Sequence, residues 1–267
     1  HYPLRRQRQM CIRDRKERVP GKEVRAPVRL EEALRHRRLV IVGDPGSGKT
    51  TFLRRIAYEL CGGAGGTKLK LPGGGLPLLV RIAELEEHIE GCLRQGAAGA
   101  PTARESLAWL AHHLACRSKE LKWGLDAEFF EEKLGEKSTY VLLDGLDEAT
   151  SGVQREHMAR LFEKATQTYA KCRFVVTTRP AAYTGKSTLD GFEQVSIEEL
   201  GSEAVEGFLG HWSRCLCPNE PGRAETHRRE LVGALHARVE IRRMARNPVM
   251  LTALAVVHWN EKRLPEQ

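Results

Sequence analysis

The sequence predicts an α/β fold, with a parallel sheet flanked by helices and followed by a small helical domain. Three observations predict it. Short apolar runs alternate with segments whose apolar residues recur every three or four positions, as strands and helices alternate in a parallel sheet. The strand-like runs are apolar on both faces, which suits a sheet that is covered on both sides. From Ser202 onward only the helical periodicity is present.

The predicted elements follow one another along most of the chain. The apolar runs predict strands at 37–43, 76–85, 139–145, 173–180 and 192–197. The helical periodicity predicts helices at 51–60, 102–117, 126–134, 153–171, 202–216, about 223–246 and 248–261. We therefore expect a sheet domain at 30–198 and a helical subdomain at 199–267, which we expect to be truncated at its C-terminus.

The composition narrows the class of protein. Of the 267 residues, 41% are hydrophobic and 29% are charged, which is typical of a globular chain. No apolar run approaches the roughly 20 residues that a membrane span needs, and the N-terminus has no apolar signal segment. The 7 cysteines are an odd number and are scattered, which favours a reducing compartment. We therefore expect a cytoplasmic protein without a membrane partner.

The positive charge is concentrated in an N-terminal tail. Residues 1–29 carry a net charge of +7 out of the chain's +8, so the remainder is nearly neutral. A nearly neutral domain gives no indication of a nucleic-acid groove. The first 15 residues, HYPLRRQRQMCIRDR, resemble translated adapter sequence, and we interpret part of the tail as an artefact. Whether residues 1–18 are native is left open.

The segment GDPGSGKT at 43–50 matches the pattern G-x-x-x-x-G-K-[ST] between a predicted strand and a predicted helix. Gly46 and Gly48 allow a tight backbone turn whose N–H groups can point at phosphate oxygens. Lys49 can reach the β- and γ-phosphates, and the Thr50 hydroxyl can bind Mg²⁺. We therefore predict a P-loop that binds ATP or ADP. The predicted nucleotide-binding residues are Gly43, Asp44, Pro45, Gly46, Ser47, Gly48, Lys49, Thr50 and Thr51.

The segment VLLDGLDEAT at 141–150 ends a predicted strand on three acids. At the carboxyl end of its strand, Asp144 would face the bound Mg²⁺ together with Thr50. Asp147 and Glu148 lie just beyond, where a carboxylate could deprotonate the attacking water. We favour Glu148 as the base, with Asp147 as a supporting or alternative base.

The segment VVTTRP at 175–180 ends a third predicted strand on Arg179. A guanidinium at this edge could sense or stabilise the γ-phosphate.

The three motifs also leave other functions open. The nearest alternative to a nucleotide-controlled switch is a P-loop ATPase that acts directly as a remodelling motor in the AAA+ style. The nearly neutral core weighs against one that works on nucleic acid. A GTPase is disfavoured because the N-K-x-D base-reading motif is missing, and the intact site residues argue against a module that only binds nucleotide.

Together, GDPGSGKT, VLLDGLDEAT and VVTTRP resemble the corresponding motifs of the NACHT domain, in the STAND class of P-loop ATPases. The likeness extends over about residues 30–266, and MARNPVMLTALAVVHWNEKRLPE at 244–266 is similar to the family's helical segment with an Asn-Pro pair. The resemblance implies that Pro248 touches the adenine and that Arg179 is a phosphate sensor. It also implies a fragment of a longer NLR-like protein, whose effector and sensor domains lie elsewhere.

The resemblance further implies a slow, Mg²⁺-dependent ATPase that acts as a switch in signalling or innate defence. In such a switch the ADP form is closed, and exchange for ATP permits self-association of the full-length protein. The activating ligand and the size of the assembly cannot be predicted from these residues.

Overall fold

A computed structural model describes residues 12–14, 30–62, 71 and 75–261. Most of the predicted basic tail and residues 262–267 lie outside the described residues. The described residues form two compact units: a first unit within 12–44 and 49–196, and a second unit that joins residues 45–48 to the segment from Ile197 onward. No helix in the described ranges is long and apolar enough to cross a membrane.

Within the described ranges, six strands make one sheet in the order β1-β6-β2-β5-β4-β3. The pairs β6–β2, β2–β5, β5–β4 and β4–β3 are all parallel. The strands are β1 Ile12–Asp14, β2 Arg38–Val42, β3 Leu76–Arg81, β4 Thr139–Asp144, β5 Arg173–Thr178 and β6 Glu193–Ile197. The predicted parallel sheet flanked by helices is therefore confirmed.

The register aligns the carboxyl ends of the central strands. Val42 of β2 lies opposite Thr178 of β5, and Asp144 of β4 lies opposite Arg81 of β3. All six residues of β4 are buried, as expected for a central parallel strand with helices on both faces. The segments that follow β2, β4 and β5 therefore start from one edge of the sheet.

Helices of the first unit cover the sheet and enclose an apolar core with Trp109, Phe130, Phe162 and Phe174 in its interior. Asp126 begins one of these helices by accepting a hydrogen bond from the Phe129 N–H, and Ser151 begins another in the same way. The helices are α1 Leu30–Ala33, α2 Lys49–Cys61, α3 Ile82–Gln95, α4 Ala108–Glu120, α5 Ala127–Leu134 and α6 Gly152–Thr168.

The prediction of a strand at 76–85 is wrong for residues 82–85. The chain leaves the strand at Arg81, and α3 begins at Ile82. Ile82, Leu85 and Ile89 are buried on one face of this helix, together with Glu86. Their spacing of three and four residues is the signal for a helix, but it begins inside a continuous apolar run that also fits a strand.

The second unit contains helices α7 Ser202–Leu216, α8 Pro221–His236, α9 Val239–Met244 and α10 Pro248–Glu261. The single helix predicted at about 223–246 is wrong, because extended backbone at Arg238 separates α8 from α9. In a continuous helix Ile241 would lie about 240° around the axis from Leu235. The break allows Ile241 and Leu235 to enter the same apolar core as Leu251.

Candidate functional site

The predicted P-loop at 43–50 connects β2 to α2. The Gly43 N–H donates to the Thr178 carbonyl oxygen at 3.1 Å, which continues the β2–β5 ladder by one residue. Gly46 and Gly48 have φ angles of +76° and +95°. Side chains with a Cβ rarely adopt these angles, so the two glycines provide the tight turn that the motif requires. Lys49 then begins α2.

Asn247 contacts residues of the segment 45–48, which belongs to the second unit like Asn247 itself. Its Nδ2 donates to the Pro45 carbonyl oxygen at 2.8 Å, and its Oδ1 accepts from the Val249 N–H at 3.0 Å. A Cβ at Gly46 would lie 2.7 Å from this Oδ1, so glycine is also needed for the close approach. The Asn247 side chain therefore both caps α10 and holds the loop backbone. Pro248 is the first residue of α10 and is half-buried.

Lys49 lies among charged groups of the first unit. Its Nζ donates to the Gly43 carbonyl oxygen at 2.7 Å and to the Asp44 carbonyl oxygen at 3.1 Å. Burial lowers the pKa of Lys49 below its usual value, and the Arg179 charge lowers it further. The carboxylates of Asp147 and Asp144 oppose this change, with Asp147 the stronger. The predicted phosphate-binding lysine and the predicted acids are thus close enough to interact electrostatically.

Asp144 is buried at the end of β4 and is held by Thr177 of β5. The Thr177 hydroxyl donates to Asp144 Oδ1 at 2.7 Å and accepts from the Gly145 N–H at 2.9 Å. One hydroxyl therefore orients the carboxylate and also satisfies the first backbone donor after the strand. The sequence analysis missed this role of Thr177, because the register of β4 against β5 is decided by the fold.

Glu148 folds back over Gly145. Gly145 has a φ of +80°, and a Cβ there would lie 2.9 Å from Cδ of Glu148. Glu148 Oε2 lies 3.7 Å from Arg81, and 43% of the Glu148 side chain is exposed. The carboxylate is therefore accessible and is only loosely paired, next to the residue that follows Asp144.

Asp147 and Arg179 form a close ion pair, with Arg179 Nε 2.7 Å from Asp147 Oδ2. The Asp147 side chain is nearly buried, with 7% exposed, whereas the Arg179 side chain is about half exposed. Asp147 Oδ1 is buried and has no hydrogen-bond partner among the described residues. An unpaired buried carboxylate oxygen is costly, and a donor from water or a ligand would satisfy it.

The donors of the motif fit a nucleotide and Mg²⁺. The Ser47 hydroxyl is buried and has no hydrogen-bond partner among the described residues, so it is available to a ligand. Thr50 and Thr51 are exposed at the start of α2. The Thr50 hydroxyl and the Asp144 carboxylate are oxygen donors of the kind that Mg²⁺ prefers. An ammonium group and oriented N–H groups at a helix N-terminus suit phosphate oxygens.

Replacing Thr177 with valine is expected to lower the free energy of unfolding by about 2–4 kcal/mol, because valine has the same shape but leaves Asp144 and the Gly145 N–H unpaired. Urea denaturation measures this change. The matched control is Thr178→Val on the same strand. Thr178 is buried like Thr177, but its hydroxyl makes only a 3.5 Å contact with the Arg179 carbonyl oxygen. Equal losses in the two variants would contradict the role assigned to Thr177.

The chain matches a known protein-domain family over most of this region. The family model described as the NACHT domain matches residues 37–214, about two thirds of the chain. The match includes β2, the loop at 43–50, β4 and β5, and it ends within α7. No curated protein matches the chain.

Proposed function

The chain belongs to the NACHT domain family of P-loop nucleoside triphosphatases, and from this we propose that it is an ATP- and ADP-binding switch. In this proposal the protein hydrolyses ATP slowly, with Mg²⁺, and the bound nucleotide controls self-association of a longer protein in signalling or defence. A cytoplasmic location, predicted from the cysteine pattern, is part of the proposal.

One observation carries the proposal. Lys49, Asp144, Asp147 and Arg179 meet at one edge of the sheet, where their charges interact. Lys49 lies beyond β2, Asp144 ends β4, and Arg179 follows β5, which lies between β2 and β4. A cation that reaches phosphate, a metal-binding carboxylate and an arginine at the same edge are the parts that phosphoryl transfer requires.

The binding roles divide among the residues of the loop. The N–H groups from Gly46 to Lys49 would bind phosphate oxygens, and the Lys49 ammonium would bind the β- and γ-phosphates. To do so, Lys49 would exchange its present contacts with two backbone carbonyls for phosphate oxygens. Thr50 and Asp144 would hold Mg²⁺, which neutralises charge that develops on the phosphates. By its resemblance to the Asn-Pro segment of the family, Pro248 would contact the adenine.

The catalytic roles follow from the pairing of the acids. Glu148 is exposed and, among the residues that the structure describes, is paired only with Arg81 at 3.7 Å, so its carboxylate is free to accept a proton from water. Asp147 Oδ2 is held by Arg179 at 2.7 Å and only 7% of the Asp147 side chain is exposed, so this carboxylate is less accessible to an attacking water. We therefore assign the base to Glu148 and the positioning of Arg179 to Asp147. Release of Arg179 from Asp147 would let the guanidinium interact with a γ-phosphate.

The test compares nucleotide states of the purified chain. We expect ADP and ATP each to bind with Mg²⁺. We expect the rate of ATP turnover to be below about 0.1 s⁻¹, well under the 1–10³ s⁻¹ that is usual for enzymes. Light scattering after gel filtration, with ADP or with a non-hydrolysable ATP analogue, then measures self-association in each state. Fast turnover without any change in self-association would contradict a switch and favour a remodelling motor.

A further inference from the structure

Two helices of the first unit bring two histidines and two cysteines together. His88 and Cys92 are four residues apart on α3, and His112 and Cys116 are four residues apart on α4. Residues four apart lie on the same face of a helix, so each helix presents one imidazole and one thiol. All four residues are half-buried.

The ligand atoms are already close. His88 Nε2 lies 2.8 Å from His112 Nδ1, and the Cys92 sulfur lies 3.8 Å from His88 Nε2. The ligand atoms of His88, His112 and Cys116 all lie within 4.8 Å of one another. In a tetrahedral zinc site with ordinary Zn–N and Zn–S bonds, the ligand atoms are about 3.3–3.8 Å apart. Shifts of about 1 Å would therefore bring the ligand atoms of His88, His112 and Cys116 to such distances.

We propose that His88, Cys92, His112 and Cys116 form a structural zinc site that joins α3 to α4. Two imidazoles and two thiolates are a ligand set that favours Zn²⁺, and four protein ligands leave no open position for a substrate. The group of His88, His112 and Cys116 is the one cluster of metal-ligand type found in the described part of the chain. Cys92 supplies the fourth ligand from the same helix as His88.

Burial acts in opposite directions on the two kinds of ligand. Burial lowers the pKa of His88, with a further contribution from His112, so the imidazole is neutral and its nitrogen can bind a metal. Burial raises the pKa of the Cys116 thiol, and the neighbouring Cys92 raises it further. A thiol binds a metal as the thiolate, so zinc binding at this cluster is expected to release protons.

The surroundings indicate what the metal would stabilise. Trp109 packs edge-on against His88, with 6.0 Å between the ring centres, and His113 packs against the same ring at 5.1 Å. Two residues before His88 on α3, Glu86 accepts hydrogen bonds from the N–H and hydroxyl of Thr150, which lies two residues after Glu148. A metal joining α3 to α4 would therefore restrain the helix that supports the segment after Glu148.

The first experiment uses the wild-type chain of 267 residues, reduced and freed of metal by a chelator. Titration with Co²⁺ is expected to produce the visible bands of tetrahedral cobalt and a thiolate-to-cobalt band in the near ultraviolet, saturating at one ion per chain. Zn²⁺ should displace the cobalt with half-saturation below about 1 µM, and should protect two additional cysteines from alkylation. Absence of these bands and of thiol protection would overturn the proposal.

Variants then assign the ligands. Cys116→Ser and His112→Gln are each expected to weaken zinc binding by at least about 100-fold, since even an outer contact of a metal ligand can be worth 10–100-fold. The matched controls are Cys61→Ser and His36→Gln, which replace exposed residues on other elements and should bind zinc like the wild type. Wild-type affinity in both ligand variants would overturn the site.

A disulfide is the other chemistry open to the two thiols. If the cluster serves Cys92–Cys116 oxidation instead, the reduced chain will bind no zinc, and mild oxidation will cross-link these two cysteines. That result contradicts the proposal. Nucleotide binding is measured separately, so the outcome for zinc is independent of the switch function.

Discussion

Replacing Lys49 with alanine is expected to weaken ATP and ADP binding by about 10²–10⁴-fold, which removes detectable binding at micromolar concentrations. The estimate follows from the loss of two charge-assisted hydrogen bonds to phosphate, worth about 1.5–3 kcal/mol each. Isothermal titration calorimetry with each nucleotide and Mg²⁺ measures the change.

The control for Lys49→Ala is Arg54→Ala, five residues further along α2. Arg54 is exposed, and its loss changes the net charge by the same amount. The Lys49 variant also leaves the Gly43 and Asp44 carbonyl oxygens without their ammonium partner, so the melting temperature without nucleotide must be compared as well. Unchanged affinity in Lys49→Ala would remove the P-loop assignment.

Replacing Glu148 with glutamine is expected to keep ATP bound while slowing hydrolysis by about 10²-fold or more, the usual scale for the loss of a general base. Glutamine preserves the shape of the side chain, which lies within 3.1 Å of where a Gly145 Cβ would be. Single-turnover hydrolysis with saturating protein separates the chemical step from binding. The variant should therefore remain in the ATP state.

The control for Glu148→Gln is Glu84→Gln, because both carboxylates pair with Arg81. Glu84 lies in the first turn of α3 and has no proposed role in hydrolysis, so its variant should turn over like the wild type. Asp147→Asn tests the other acid. Wild-type turnover in Glu148→Gln together with loss of hydrolysis in Asp147→Asn would make Asp147 the base.

Local sequence was sufficient to predict the strands that position the site. The runs before Gly43 and through Asp144 are apolar on both faces, and such runs fit little else than buried parallel strands bounded by turns. The spacing of glycines and lysine in 43–50 predicts a tight phosphate-binding turn, and this turn is where Gly46 and Gly48 adopt positive φ angles. The roles of Asp144, Glu148 and Arg179 in chemistry remain predictions.

Contacts between elements could not be predicted in the same way. The hydroxyl of Thr177 reaches Asp144 only because β5 inserts between β2 and β4, and one threonine in an apolar strand carries no sign of this. The pairing of Asp147 with Arg179 depends on the same strand order. The meeting of His88 and Cys92 with His112 and Cys116 was not predicted, because the two His–Cys pairs are 24 residues apart and neither has the spacing of a zinc finger.

The sequence by itself determined the parallel sheet and its P-loop, because local apolar patterns and glycine geometry depend on neighbouring residues in the chain. Only the tertiary structure decided which acid pairs with Arg179, which hydroxyl orients Asp144 and which thiols meet the imidazoles. These contacts depend on the register and packing of elements that are far apart in the sequence. Their partners are brought together by the burial of those elements and not by their order along the chain.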